Sequence, residues 1–151
     1  MNKLESLLAE LEKAIPHAMK SKNEVSSSNV GWHIEHSLLT LDKITESLAN
    51  SNPSEYSKKF SLVRLIVFTL KKIPRGKAKS PASVQPSIQY SAESLMKHIM
   101  QTRENIKVLQ TISKDRFFDH PVFNHLQLEQ TVKFLEIHSK HHLDIIQDII
   151  H

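Results

Sequence analysis

The chain has no cysteine, which excludes disulfides, thiolate metal sites, iron–sulfur clusters and cysteine nucleophiles. It has no uninterrupted apolar run near the roughly 20 residues that a membrane-spanning helix requires. Residues 1–15 interleave acids and bases, whereas a signal peptide requires an unbroken apolar stretch. These absences predict a soluble, cytoplasmic protein that does not act at a membrane.

Glycine and aromatic residues are also scarce. The chain has two glycines and lacks the alternating apolar and polar runs, bounded by turns, that are typical of sheet proteins. Aromatic residues make up 6% of the chain, and the one dense basic segment, KKIPRGKAK at residues 71–79, contains none of them. Proteins that bind nucleic-acid strands interleave basic and aromatic side chains. The net charge of +4 therefore does not indicate a nucleic-acid partner.

Several long segments do carry apolar residues at helical spacing. We predict an all-α fold with a single domain, residues 1–151. It is a bundle of four long helices with an additional short helical segment and a long proline-rich loop. The predicted helices span residues 2–15, about 30–50, 56–73, 92–112 and 127 to the C-terminus, and the proline-rich loop and an aromatic-rich connection span residues 74–89 and 113–126.

Individual residues mark the predicted helix ends. Pro16 ends or bends the first helix, Ser28 or Asn29 caps the second, and Ser91 caps the fourth. The third segment contains LVRLIVFTL, which is apolar enough to be buried on most sides. Such a segment faces either the core or another subunit, so a homodimer is one expectation.

Ten histidines are the unusual feature of the composition. On a helical wheel His138 and His142 lie about 40° apart within the apolar stripe of the last helix. Two histidines one turn apart on one helix face can bind a single metal ion. Burying an imidazole without a partner costs a few kcal/mol, so this pair requires a metal ion, hydrogen bonds in the core or a water-filled pocket.

A third ligand could come from the second helix, which carries His33 and His36 in the segment GWHIEHSLL. His33 lies near the border of the main apolar stripe. His36 lies with Trp32 on a second, smaller apolar strip. Periodicity narrowly favours His33. Because a helix in a bundle touches two neighbours, however, either strip could face the last helix, and the spacing leaves both histidines open.

Several other polar residues allow two interpretations. His141 lies at the edge of the last apolar stripe, either as an outer partner of a metal ligand or as a rim residue. His120 could line the mouth of a pocket. Glu35 is either an acid–base group beside His36 or, as burial statistics favour, a solvated carboxylate. His98 is expected to be solvated, and no residue is assigned a catalytic role.

Three segments, GWHIEHSLLTLDKI, IPRGKAKSP and DHPVFNHLQLEQTVKFLEIHSKHHL, resemble the DinB-like superfamily of four-helix-bundle metalloproteins, and especially its HPxFG-containing branch. The resemblance spans most of the chain. In that superfamily a second-helix histidine, a few residues after an aromatic, joins two histidines one turn apart on the last helix. The resemblance therefore implies a metal site of His36, His138 and His142. The chain departs from the pattern at Asn124, where the branch has glycine.

The resemblance also implies a function. Some characterised members of the superfamily are thiol-dependent enzymes that transfer a low-molecular-weight bacterial thiol or isomerise a substrate with its help, commonly with zinc or nickel, whereas no specific activity is implied for the HPxFG-containing branch. We therefore expect a metal-dependent transferase or hydrolase that acts on a small-molecule substrate or thiol.

Two further alternatives stay open at this point. If the basic loop KKIPRGKAKSP folds over the site, an anionic substrate or thiol is favoured; otherwise the loop is simply solvated. The alternative to an enzyme is a non-catalytic bundle that dimerises, or that uses a metal for structure or ligand sensing.

Overall fold

The structure is a computed structural model that describes residues 2–76, 81–86 and 90–151. Within these residues the chain forms five α-helices and one antiparallel pair of strands. The elements are α1 (Asn2–Ala14), α2 (Val30–Asn50), α3 (Leu62–Leu70), α4 (Ala92–Asn105), β1 (Phe117–His120), β2 (Asn124–Gln127) and α5 (Leu128–Ile150). The chain is mostly helical, as predicted, and it also contains a small two-stranded sheet that the sequence did not predict.

Four of the helices, α1, α2, α4 and α5, pack around one core. α2 contacts both α5 and α4, and α1 contacts the same two helices. The side chains buried between them include Leu8, Leu11, Ile34, Leu38, Ile99, Leu135 and Ile146. Burying one such side chain stabilises the fold by roughly 1.5–3 kcal/mol. This core therefore holds α2 and α5, which carry the candidate metal ligands, in a fixed relation.

Side-chain caps determine where α2 and α4 begin. Oδ1 of Asn29 accepts a hydrogen bond from the backbone N–H of Trp32 at 2.9 Å, so Asn29 rather than Ser28 caps α2. Ser91 and Ser94 exchange side-chain to backbone hydrogen bonds, which confirms Ser91 as the cap of α4. Each cap contributes about 1 kcal/mol. The Asn29 cap also places Trp32 in the first turn of α2.

Helix α3 is shorter and more exposed than predicted. It covers Leu62–Leu70 instead of residues 56–73, and of its side chains only that of Val67 is buried. It lies outside the bundle, against α5, and its Arg64 guanidinium donates to the backbone oxygen of Phe123. The expected burial was wrong because, in a run where almost every residue is apolar, periodicity does not show which face packs.

The predicted aromatic connection contains a β-hairpin. The strands pair antiparallel from Phe117 opposite Gln127 to His120 opposite Asn124. Asn124 has a φ of 59°, in the left-handed region that glycine adopts freely and asparagine tolerates better than most residues. Asparagine is thus compatible with this turn at the position where the HPxFG pattern has glycine.

The remaining boundaries differ by a few residues. α-Helical hydrogen bonding stops at Ala14 and at Asn105, and the chain continues as 3-10 helix over Ile15–His17 and Ile106–Gln110. In the proline-rich loop, Ala82–Val84 forms another 3-10 turn, while residues 77–80 and 87–89 lie outside the described residues. Within the described residues, no helix is both long enough and apolar enough to cross a membrane.

Candidate metal centre

Helices α2 and α5 bring three histidines together. One ring nitrogen from each of His36, His138 and His142 lies within 4.8 Å of the other two. His36 and His142 are buried, and His138 is half-buried. The structure therefore brings together the three residues that the family resemblance implies as ligands. On α2 it is His36, and not His33, that completes this group.

A backbone carbonyl determines which ring nitrogen of His36 carries the proton. Its Nδ1 lies 2.7 Å from the carbonyl oxygen of Val84, in the described part of the proline-rich loop. A carbonyl oxygen only accepts hydrogen bonds, so Nδ1 of the neutral ring carries the proton and Nε2 carries the lone pair. Partners of this kind orient metal-binding histidines. The loop therefore leaves the Nε2 lone pair of His36 available to a metal ion, a role for Val84 that no side-chain pattern could reveal.

His138 has both ring nitrogens free of hydrogen bonds from the parts of the chain that the structure describes. Ring contacts hold it in place, with centroids 4.6 Å from His142, 5.2 Å from His36 and 5.7 Å from Phe134. His138 is half-buried, so its ring nitrogens are accessible to a ligand.

His142 is linked to His33. The Nδ1 atoms of the two rings lie 2.9 Å apart, and Nε2 of His33 lies 3.0 Å from Oγ of Ser26. His33 is buried. Its contact with His142 places it next to the three-histidine group. Sequence reasoning named His33 as an alternative to His36. It missed Ser26, because that residue precedes α2 and no helical spacing connects it to the histidines.

Burial keeps the three clustered rings neutral. Burial lowers the pKa values of His138 and His142 well below the usual value for histidine, and the neighbouring imidazoles lower them further. Burial also lowers the pKa of His36, although the hydrogen bond to Val84 opposes this effect. Neutral imidazole is the form that binds metal ions. At neutral pH these rings need not lose a proton before binding.

Arg75 is close enough to the site for its charge to act there. Burial lowers the pKa of His33 to about 4, and the charge of Arg75 contributes to this shift. The pKa of His141 is lowered first by burial and then by Arg75. The Arg75 guanidinium also forms an ion pair with Asp148 at 2.8 Å. The basic segment continues through residues 77–80, which lie outside the described residues.

Trp32 forms an aromatic wall of the site. Its indole stacks on His36, with centroids 4.9 Å apart and planes 12° apart, and it meets the edge of His33 at 5.2 Å. His141 packs edge-on against His142 at 5.1 Å, on the last helix. Trp32 and His141 are half-buried, so each has one side against the ligands and another toward solvent.

His120 lies further from the cluster. Its Nδ1 accepts from the backbone N–H groups of Val122 and Phe123, and its ring stacks on Phe123 at 4.2 Å. Burial lowers the pKa of His120 to about 4. It contacts Phe134, which in turn contacts His138. His120 therefore stabilises the hairpin turn, and Phe134 lies between it and His138.

His98, which was expected to be solvated, is half-buried between α2 and α4. Its two ring nitrogens each lie 2.9 Å from a carboxylate oxygen, one of Glu35 and one of Asp42. Burial lowers the pKa of His98, but hydrogen bonds to Asp42 and Glu35, together with their charges, raise it to about 9. Glu35 is therefore bound to His98 and is not free in solvent. The seven-residue spacing of the two acids places them on one helix face and could have revealed this partnership.

The donor set fits a divalent metal ion. Three neutral imidazoles with an open fourth position are the ligand set of several catalytic zinc sites. Imidazole also binds nickel, copper and iron, so the rings alone do not select one metal. Comparisons of the chain with protein-family models, with curated proteins and with solved structures found no significant match.

Proposed function

We propose that the protein binds one divalent metal ion through His36, His138 and His142, and that it is a metal-dependent enzyme of the DinB-like type. One observation carries the proposal: three neutral imidazoles converge within 4.8 Å at one place in a helical bundle. The hydrogen bond from His36 to Val84 supports it, because this bond leaves the metal-facing nitrogen unprotonated.

Zinc or nickel is the proposed ion. When bound, such an ion lowers the pKa of a water or thiol and polarises a carbonyl group. The reaction class we propose is thiol-dependent transfer to a small-molecule substrate, or hydrolysis. The residues of the chain position the ligands: Val84 orients His36, and the Trp32 indole covers one face of that ring.

Arg75 supports an anionic substrate or thiol. A guanidinium can bind a carboxylate through paired hydrogen bonds, and one nitrogen of Arg75 lies 2.8 Å from a carboxylate oxygen of Asp148, whose side chain is 55% exposed. In this proposal a substrate carboxylate replaces Asp148 as the partner of Arg75. A low-molecular-weight thiol stays reduced in the cytoplasm, which is the location we propose for the protein.

Metal titration tests this proposal. Protein stripped by a chelator is titrated calorimetrically with Zn²⁺ and with Ni²⁺, and we expect one ion per chain. His138→Ala and His142→Ala should weaken this binding strongly, while His151→Ala, at an exposed position, should not. If the wild type takes up no stoichiometric ion, or if the two variants bind like the wild type, the proposed function is wrong. Thiol-transfer and hydrolysis assays on the loaded protein then test the reaction.

The exposed face of α3 favours a second proposal, self-association of the chain. Leu62, Leu65 and Leu70 are 58%, 54% and 64% exposed, and Val63 and Ile66 are about as exposed. On a helical wheel these five residues cover an arc of about 160° that contains one other residue, Thr69. Soluble monomers rarely expose a contiguous apolar surface of this kind. We propose that a second copy of the chain covers it.

Sedimentation velocity tests the self-association. We expect a dimer that Ile66→Lys dissociates, whereas Met100→Lys on α4, where Met100 is 60% exposed, leaves it intact. The chain has no acid between Glu55 and Glu93, and lysines flank α3 at both ends. Two such faces repel each other, so added salt should strengthen the dimer. A wild type that stays monomeric at high concentration and high salt would rule the dimer out.

A further inference from the structure

We infer that His33 is a positioning residue that selects the metal-binding tautomer of His142, acting as the middle member of a hydrogen-bonded chain from His142 through His33 to Ser26. The inference rests on the proposed metal site. The chain is defined by the 2.9 Å contact between the two Nδ1 atoms and by the 3.0 Å contact from His33 Nε2 to Ser26 Oγ.

The contact between two Nδ1 atoms allows only two arrangements of protons. A neutral imidazole has one N–H and one lone pair, so one Nδ1 donates and the other accepts. If His33 donates, its Nε2 accepts from the Ser26 hydroxyl. If His142 donates, His33 Nε2–H donates to Ser26 Oγ. A serine hydroxyl can serve either arrangement, because it both donates and accepts.

Only the second arrangement is compatible with a metal ion on His142. When His33 donates, the Nδ1 of His142 holds the lone pair and its Nε2 holds the proton, so Nε2 cannot bind a metal. When His142 donates, its Nε2 lone pair is free. Binding of the ion therefore requires His33 to accept at Nδ1 and to donate at Nε2.

Ser26 makes the required arrangement accessible. Its Oγ lies 3.1 Å from the backbone N–H of Ser28, which donates to it. It can also accept from His33 Nε2–H, since a hydroxyl oxygen has two lone pairs. His33 is buried, so water does not compete easily for these bonds. The orientation of His142 thus depends on a residue that is not itself one of the three clustered ligands.

Two substitutions of His33 separate its contacts. In His33→Asn, the side-chain amide reaches the position of the imidazole Nδ1 and can accept from His142, but it loses Ser26. In His33→Gln, the amide reaches the position of Nε2, so it keeps Ser26 and loses His142. Both replacements are neutral, polar and of similar size, and each is the matched control for the other.

Zn²⁺ affinity, measured by competition with a chromophoric chelator, tests the inference. His33→Asn should bind Zn²⁺ close to wild type, and His33→Gln should bind about 10- to 100-fold more weakly, the usual loss when an outer partner of a ligand is removed. Equal affinities in the two variants would overturn the inference, and so would weaker binding by His33→Asn. Failure of the wild type itself to bind Zn²⁺ would instead overturn the proposed metal site.

A spectroscopic measurement on the wild type covers the case in which the variants do not fold. Long-range ¹H–¹⁵N correlation spectra distinguish protonated from unprotonated ring nitrogens. With Zn²⁺ bound, His33 should show a protonated Nε2 and an unprotonated Nδ1 that is not coordinated to the ion. A protonated His33 Nδ1 in the Zn²⁺-bound protein would contradict the inference, as would direct coordination of that nitrogen.

Discussion

The Nδ1–H of His36 donates a hydrogen bond to the backbone oxygen of Val84 across 2.7 Å. One ring nitrogen therefore binds the proline-rich loop, and the other is available to the candidate metal site. His36→Asn should separate these roles, because its amide can still donate to Val84 but has no atom at the Nε2 position. We expect the variant to fold with stability within about 1 kcal/mol of wild type and to lose metal binding.

The matched variant for that prediction is His36→Leu. It removes both roles and leaves the Val84 carbonyl without its partner, so it should cost roughly 1–3 kcal/mol more than His36→Asn. Urea unfolding and Zn²⁺ titration of both variants provide the two measurements. Normal Zn²⁺ affinity in His36→Asn would show that this ring is not a ligand.

Trp32 provides an optical probe of the site. It is the single tryptophan of the chain, and it stacks on His36 at 4.9 Å. Cu²⁺ and Ni²⁺ quench indole fluorescence at short range, so one equivalent of either ion should quench the emission. Excess Zn²⁺ should restore the emission after Ni²⁺ but not after Cu²⁺, which nitrogen ligands bind more tightly than Zn²⁺. His138→Ala should emit normally and resist quenching at the same concentration. Unchanged wild-type emission on adding Cu²⁺ or Ni²⁺ would place the ion elsewhere.

The network around His98 predicts a loss of stability at alkaline pH. The pKa of His98 is raised from 6.5 to about 9, so between these values the folded chain holds a proton that the unfolded chain releases. Its contribution is therefore complete below pH 6.5 and declines as the pH rises through 9. Burial alone would lower the pKa of His98, but the hydrogen bonds and charges of the two carboxylates outweigh this effect.

His98→Gln is the comparison for this effect, because glutamine can form hydrogen bonds but carries no charge. Wild type should exceed the variant in unfolding free energy by about 1–3 kcal/mol at pH 6, and the difference should shrink between pH 6.5 and 9.5. Chemical unfolding across this range measures it. A difference that stayed constant with pH would show that His98 is not charged in the fold.

Substitutions at Asn124 test the backbone conformation of the hairpin turn. Its φ of 59° suits glycine and asparagine, while a β-branched side chain costs roughly 1–2 kcal/mol in this region. Asn124→Gly should therefore leave the unfolding free energy almost unchanged, and Asn124→Val should lower it by about that amount. Equal stability of the two variants would show that the turn does not adopt this conformation.

The sequence predicts the parts of the fold that periodicity controls. The apolar stripe of α5 is regular enough to place His138 and His142 inward, and the cap of α4 at Ser91 follows from side-chain chemistry. The two apolar strips of α2 do not distinguish His33 from His36, because the helix packs against both α5 and α4. Both histidines in fact face α5, since one joins the three-histidine group and the other contacts His142.

Other features depend on contacts between distant segments, and the sequence shows them poorly. The carbonyl of Val84 has no side-chain signature, and its contact with His36 joins residues 48 positions apart. α3 has two polar residues, Arg64 and Thr69, and Arg64 binds the backbone oxygen of Phe123 instead of marking an outer face, so the exposure of the helix could not be read from its pattern. The strands of the hairpin have four residues each, too few to establish an alternation.

Anomalous diffraction at the zinc edge tests the metal site most directly. Crystals grown with one equivalent of Zn²⁺ should show one strong anomalous peak, roughly 2.0–2.1 Å from one nitrogen of each of His36, His138 and His142. Crystals of His138→Ala under the same conditions should lack that peak. A zinc peak elsewhere on the chain, with none among the three rings, would contradict the account.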